Sequence, residues 1–149
     1  MSELDAMAAA LALAREAQLD DEVPVGAVVV VQGKIIGRGR NRREKMKDPL
    51  AHAEILAIRE ATAAMKSWRL EDCELYVTLE PCPMCLAACQ QARVIRVFYG
   101  ARDPKGGALS LGYPLHEDAR THHRFEVVEA LRPECGAIMS DFFRGKRKG

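Results

Sequence analysis

The sequence predicts an α/β fold: a three-layer α/β/α sandwich on one five-stranded mixed sheet. Three observations carry that prediction. The 149 residues, 48% apolar and 29% charged, match one ordinary globular domain. The apolar positions switch between helical and strand periods in the order helix, β-hairpin, helix, strand, helix, strand, long link, strand, helix. Strands joined by helical crossovers place helices on both faces of a single sheet. The expectation is one domain over residues 1–149.

Residues 3 to about 18 form the first expected helix, with Leu4, Met7, Ala8, Leu11 and Ala14 on one apolar stripe. Ser2 is placed to cap it, with Asp5 three residues on. Val25 to Val31 is nearly all apolar and β-branched, the pattern of a strand buried on both faces. Gln32-Gly33 turns that strand back into Lys34-Ile35-Ile36 as a hairpin. Ala53 to Met65 reads as a helix with Ala57, Ile58, Ala61 and Met65 on one face. Leu75 to Leu79 and Val94 to Tyr99 are strand-like. Between them a short helix runs from about Met84 to Gln91, with Pro83 suited to its first turn. Phe125 to Glu129 reads as the fifth strand and Pro133 to Phe143 as a closing helix. The link from Gly100 to Arg124 has no clear element of its own and is a candidate substrate loop. The end, Arg144-Gly145-Lys146-Arg147-Lys148-Gly149, reads as a frayed basic tail.

Lys and Arg number 22 against 21 Asp and Glu, a net charge of +1, so no overall bias toward nucleic acid or membrane follows. No run approaches the roughly 18 apolar residues that a membrane helix needs. The opening Met1-Ser2-Glu3-Leu4-Asp5 is acidic where a secretory signal would be basic, so the reducing cytoplasm is the expected location. The five cysteines, an odd number, then point to thiols or metal ligands rather than a disulfide frame.

Two short motifs carry chemistry. His52-Ala53-Glu54 opens one expected helix and Pro81-Cys82-Pro83-Met84-Cys85 opens the next. A lone histidine beside an apolar helix is more often structural, and a lone C-x-x-C is ambiguous between redox, structural metal and accident. Together, however, the motifs spell H-x-E and P-C-x-x-C, the signature of the zinc nucleobase deaminases. Cysteines three apart at a helix start put both sulfurs on one side, and the free N–H groups there favour thiolate. His52, Cys82 and Cys85 make three ligands for one Zn2+ and leave a tetrahedral position for water, as in a catalytic rather than a structural site. Zinc lowers the pKa of such a water to roughly 7, an effect that two thiolates soften. On a regular helix His52 and Glu54 would point apart, so His52 is expected at the cap position. Glu54 would then take the water proton and deliver it to the ring nitrogen and the leaving amine. Cys89, a full turn beyond Cys85, could in principle be a fourth ligand but fits a buried small apolar residue better; Cys73 and Cys135 read as structural.

The flanks carry a resemblance. Glu22-Val23-Pro24-Val25-Gly26-Ala27, Asp48-Pro49-Leu50-Ala51-His52-Ala53-Glu54 and Tyr76-Val77-Thr78-Leu79-Glu80-Pro81-Cys82-Pro83-Met84-Cys85 are similar to segments of the bacterial tRNA-specific adenosine deaminases, a branch of the cytidine deaminase superfamily. Gly100-Ala101-Arg102-Asp103-Pro104-Lys105 and Ser140-Asp141-Phe142-Phe143 extend the likeness to about residues 3–145. The resemblance implies a cytidine deaminase-like fold and a homodimer that converts the wobble adenosine of a tRNA anticodon loop to inosine, with one Zn2+ per subunit. It also implies that Asn41 contacts the flipped base, although Asn41 suits a turn as well. Two places depart from the family pattern: Leu50, where Thr is frequent, and Thr121-His122-His123-Arg124, where Leu-Asn-His before a basic residue is frequent.

Arg38, Arg40, Arg42, Arg43, Lys45 and Lys47 crowd around Asn41 with Glu44 opposing, a local charge that suits RNA phosphates. Aromatic residues at 5% offer few stacking platforms for bases. The rival reading is a deaminase of a free nucleobase or nucleoside, of guanine or cytosine type, which shares both motifs. A structural zinc module would want four protein ligands and no acid beside the metal.

Overall fold

A computed structural model describes residues 3–148, with side chains from 5 to 146. The elements are α1 (Glu3–Leu19), β1 (Gly26–Val31), β2 (Lys34–Arg40), α2 (Arg43–Met46), α3 (Ala53–Met65), β3 (Glu74–Val77), α4 (Pro83–Ala92), β4 (Arg96–Tyr99), β5 (Glu126–Glu129) and α5 (Pro133–Lys148), with a short 3-10 turn at Leu115–Glu117. The strands form one sheet in the order β2-β1-β3-β4-β5. β1 is antiparallel to β2 and β3, while β3, β4 and β5 run parallel. The expected five-stranded mixed sheet and three layers are therefore present.

Each face of the sheet has its own core. Ala53, Ala57 and Ala61 of α3 and Leu86 and Cys89 of α4 pack with Val29, Leu75, Val77 and Val97 on one face. Met7, Ala10, Leu11 and Ala14 of α1 pack with Val28, Val30, Tyr76 and Phe98 on the other, joined by Cys135 and Ile138 of α5. Tyr76 and Phe98 lie opposite each other in the β3–β4 register and stack at 4.5 Å. Small residues let the helices sit close. A Cβ at Gly39 of β2 would lie 2.1 Å from the carbonyl oxygen of Ala53, so only glycine admits the start of α3 there. That approach anchors the helix end beside which His52 stands.

Several boundaries differ from expectation, each for a visible reason. The buried stripe of α1 runs through Ala6, Met7, Ala10, Leu11, Ala14 and Ala17, and Ala8 is exposed. An alanine-rich helix shows little contrast around its circumference, so the side that faces the sheet is set by packing. The cap expected at Ser2 and the position of Leu4 lie outside the described residues and side chains. Met65 is exposed, on the outer side of α3. β2 extends to Arg40, and β3 ends at Val77 because Glu80 turns away to serve a loop. The one-turn helix α2 forms inside the basic cluster, where no helix is expected. α5 continues to Lys148 rather than fraying after Phe143. Arg144 pairs there with Asp141 at 3.1 Å, and Lys146 pairs with Asp21 at 2.6 Å. No helix among the described residues is long and apolar enough to cross a membrane.

Candidate active site

The site is built where the chain enters α3 and α4. His52 and Cys82 are the residues just before those helices, with extended dihedrals of φ −75°, ψ 153° and φ −71°, ψ 169°. His52 thus occupies the expected cap position. Its non-helical backbone lets His52 and Glu54, two residues apart, line the same cavity. Val25, Asn41, Arg43, Leu79, Glu80 and Cys82 complete much of the wall. Cys85 sits in the first turn of α4, fully buried beneath it.

His52 Nδ1 lies 3.5 Å from Cys85 Sγ and 3.7 Å from Cys82 Sγ. The three donor atoms lie within 4.8 Å of one another, a group that could hold one metal ion. Cys89 is absent from that group and buried a turn deeper, and Cys73 and Cys135 are buried away from it, in line with their structural reading. The ligands also hold their protons unequally. The Cys82 thiol is pulled down to about 4, first by the hydrogen bond from the Cys85 thiol and then by His52. The same contacts raise His52, while the Cys82 hydrogen bond and burial push Cys85 far up. Cys82 is thus the readiest of the three to give up its proton, and a cation taken up here displaces the protons that the other two hold.

Glu54 is 4% exposed, and burial pushes its carboxyl up to about 7. A carboxyl so poised both accepts and returns a proton near neutral pH. Asn41 is 6% exposed and its amide is oriented from two sides. It donates from Nδ2 to the Val23 carbonyl at 3.2 Å, and its Oδ1 accepts the Arg43 backbone N–H at 3.3 Å.

Glu80 is a cavity residue whose place the sequence reading did not specify. Its buried carboxylate accepts the N–H groups of Asp103 (3.0 Å) and Ser110 (2.9 Å) and the Ser110 hydroxyl (2.7 Å). A Cβ at Gly107 would come within 2.0 Å of that carboxylate. The link from Gly100 to Arg124 is therefore tied down from beneath, and none of the cavity-lining residues comes from it. The sequence carries no local signal for this anchor, because its partners lie 23 and 30 residues further along the chain.

The basic cluster splits. Arg40 pairs with Asp20 at 3.3 Å and lies 3.8 Å from Glu16; Lys45 also reaches Asp20, at 3.2 Å. Arg43 lines the catalytic cavity, whereas Arg38, Arg40 and Arg42 line a separate hollow with Leu13, Met46, Leu56 and Glu60. Arg42 Nε is buried there without a hydrogen-bond partner. Of the departures from the family pattern, Leu50 is exposed. His123 stacks on Phe125 at 5.7 Å and bonds the Val94 carbonyl at 2.7 Å, a packing role, while His122 is exposed.

Comparison with known proteins agrees with this geometry. The model of the MafB19-like deaminases matches residues 1–147. The tRNA-specific adenosine deaminase of Bacillus subtilis is 48% identical over 143 residues, covering 95% of this chain and 89% of that protein. A structure solved in a study of A-to-I editing by tRNA:A34 deaminases at the wobble position of transfer RNA superposes with a TM-score of 0.87 at 45% identity, covering 91% of this chain and 99% of that one. A guanine deaminase from Nitrosomonas europaea shares the fold at a TM-score of 0.80 with 26% identity, covering 95% and 84%.

Proposed function

The chain belongs to the MafB19-like deaminases, in the branch of the tRNA-specific adenosine deaminases, and from that membership we infer its reaction in detail. It hydrolyses the wobble adenosine of a tRNA anticodon loop to inosine, releasing ammonia. The observation that carries this reading is the near half identity to a tRNA-specific adenosine deaminase over almost the whole chain, joined to the His52, Cys82, Cys85 and Glu54 cavity. The guanine deaminase likeness, at 26% identity, supports the free-base rival less.

We take the metal to be Zn2+, one per chain. Tetrahedral zinc with nitrogen and sulfur at ordinary bond lengths separates those donors by about 3.6 Å. The His52 Nδ1 separations of 3.5 and 3.7 Å suit it. When bound, zinc supplies the Lewis acidity that brings a water's pKa to roughly 7. Glu54 takes the proton of the attacking water on its carboxylate and hands it to the adenine ring nitrogen. It then takes up the remaining proton of the hydroxyl now on C6 and delivers it to the amine, which leaves as ammonia while the C6 carbonyl of inosine forms. Burial raises the Glu54 carboxyl to about 7, so near neutral pH it can both take up and release a proton. Asn41, with its amide fixed by Val23 and Arg43, has one N–H and one lone pair beyond those bonds to offer the flipped nucleotide. A base in the stack cannot reach such a cavity, and an anticodon loop presents bases that are out of it.

The whole chain acts in this reading as one deaminase domain, paired as a homodimer and working on tRNA in the cytoplasm; the family likeness supports these points. Incubation with total tRNA followed by sequencing tests the function. Adenosine-to-inosine change confined to wobble positions is expected. Unaltered tRNA alongside deamination of a free base would overturn it.

A further inference from the structure

Glu22 is 1% exposed, carries a charge and belongs to neither the metal ligands nor the proton-transfer machinery. It forms no ion pair among the described residues. Its two carboxylate oxygens instead accept backbone N–H groups, of Glu44 at 3.1 Å and of Lys45 at 2.8 Å. It opens the segment 22–25, which grips the segment 41–45 at two more points. The Asn41 backbone N–H donates to the Val25 carbonyl at 3.1 Å, and Asn41 Nδ2 donates to the Val23 carbonyl at 3.2 Å. Val25, Asn41 and Arg43, three members of the cavity wall, all belong to these two segments.

Burying a carboxylate is costly, and an apolar side chain would fill the same space at less expense to folding. What the carboxylate adds is a fixed position for the chain that carries Asn41 and Arg43. Hydrogen bonds to an ionised acceptor are shorter and stronger than neutral ones, so two of them hold a surface segment firmly. We propose that Glu22 is a positioning residue for nucleotide binding. It sets the place of the Asn41–Arg43 wall through the N–H groups of Glu44 and Lys45 and leaves the chemical step alone. The identity of the nucleotide rests on the deaminase reading above. The position of the wall rests on these four hydrogen bonds.

The test compares the wild-type holoenzyme with Glu22→Ala and Glu22→Gln on a stem-loop RNA carrying a wobble adenosine, with rates normalised to bound metal. Hydrogen exchange at residues 41–47 is followed in parallel. In Glu22→Ala, KM should rise about tenfold or more with kcat held within about twofold, the signature of lost binding that is not specific to the transition state. Amide protection at Glu44 and Lys45 should fall. Glu22→Gln keeps one carbonyl acceptor and should give an intermediate KM. A loss of kcat at unchanged KM overturns the proposal, as does lost protection at Glu44 and Lys45 with KM unmoved. If Glu22→Ala fails to fold, the glutamine variant decides alone, and a wild-type KM in it refutes the role. Should the wild type reject the stem-loop and accept a free base, the function reading fails separately, and the same KM comparison is made on that base.

Discussion

Three buried carboxylates, Glu22, Glu54 and Glu80, stand in or beside one cavity, and their partners decide their uses. Glu80 has its oxygens taken by two backbone N–H groups and a hydroxyl, so it is committed to holding the loop. Glu54 is raised by burial to about 7 and is the one suited to proton transfer. Glu54→Gln keeps its shape and should retain the metal while turnover falls by about 10²–10⁴-fold, the usual worth of a general acid–base group. Metal analysis beside single-turnover rates checks this; loss of the metal would mean that Glu54 is a ligand. Glu80→Ala leaves the Asp103 and Ser110 amides without their acceptor. It should cost about 2 kcal/mol or more in a denaturant titration. A wild-type midpoint would show that the loop is held by other contacts. The motif spacing exposes Glu54 in the sequence, because H-x-E together with P-C-x-x-C places an acid beside the three candidate metal ligands. Glu22 and Glu80 are silent there, since what defines them is backbone N–H groups 22 and 23 residues away for Glu22 and 23 and 30 residues away for Glu80.

At the scale of elements, the helices that carry ligands are legible in the sequence, while the one-turn helix α2 inside the basic cluster is not. Strong turns and caps mark the starts of α3 and α4: Asp48-Pro49 before one and Pro83 within the other. The basic cluster reads as a single patch in the sequence because charge alone does not say which way an arginine turns. In the fold, Arg40 is drawn to Glu16 and Asp20, on and just beyond α1, while Arg38 and Arg42 share the hollow beside it. Neutralising Arg38 and Arg42 to glutamine should weaken RNA binding and flatten its salt dependence by up to about two units of slope. Arg40→Gln should leave the slope nearly unchanged, since its charge is already paired. Equal slopes in all variants, read from anisotropy titrations over a range of salt, would remove the cluster from the RNA path. The packing of α4 is tested by Leu86→Ala, a fully buried site that should lose about 2–5 kcal/mol. A smaller loss would mean that the cavity collapses.

Across the whole molecule, a metal held by His52, Cys82 and Cys85 would join two helix starts that follow different strands, and so would contribute to stability as well as to chemistry. Binding to the folded state alone stabilises by mass action. Chelation should therefore lower Tm by about 5 °C or more when free metal has stood a hundredfold above its Kd. Cys82→Ser should abolish that difference, and an unshifted Tm in the parent chain would show that α3 and α4 hold the site without an ion. The three layers were readable because β1 is apolar throughout and the later strands alternate with helices. The side of α1 that meets the sheet and the length of α5 were not, since both are settled by tertiary contacts such as Lys146 with Asp21. One comparison bears most directly on whether this cavity deaminates a flipped adenosine of RNA with Glu54 carrying the proton. A panel of free adenine, adenosine, guanine and cytosine against a tRNA stem-loop with a wobble adenosine, run for the wild type and Glu54→Ala, measures it directly. Inosine is expected in the stem-loop alone and none with the variant; rapid turnover of a free base with an untouched stem-loop, or wild-type editing by Glu54→Ala, would overturn this mechanism.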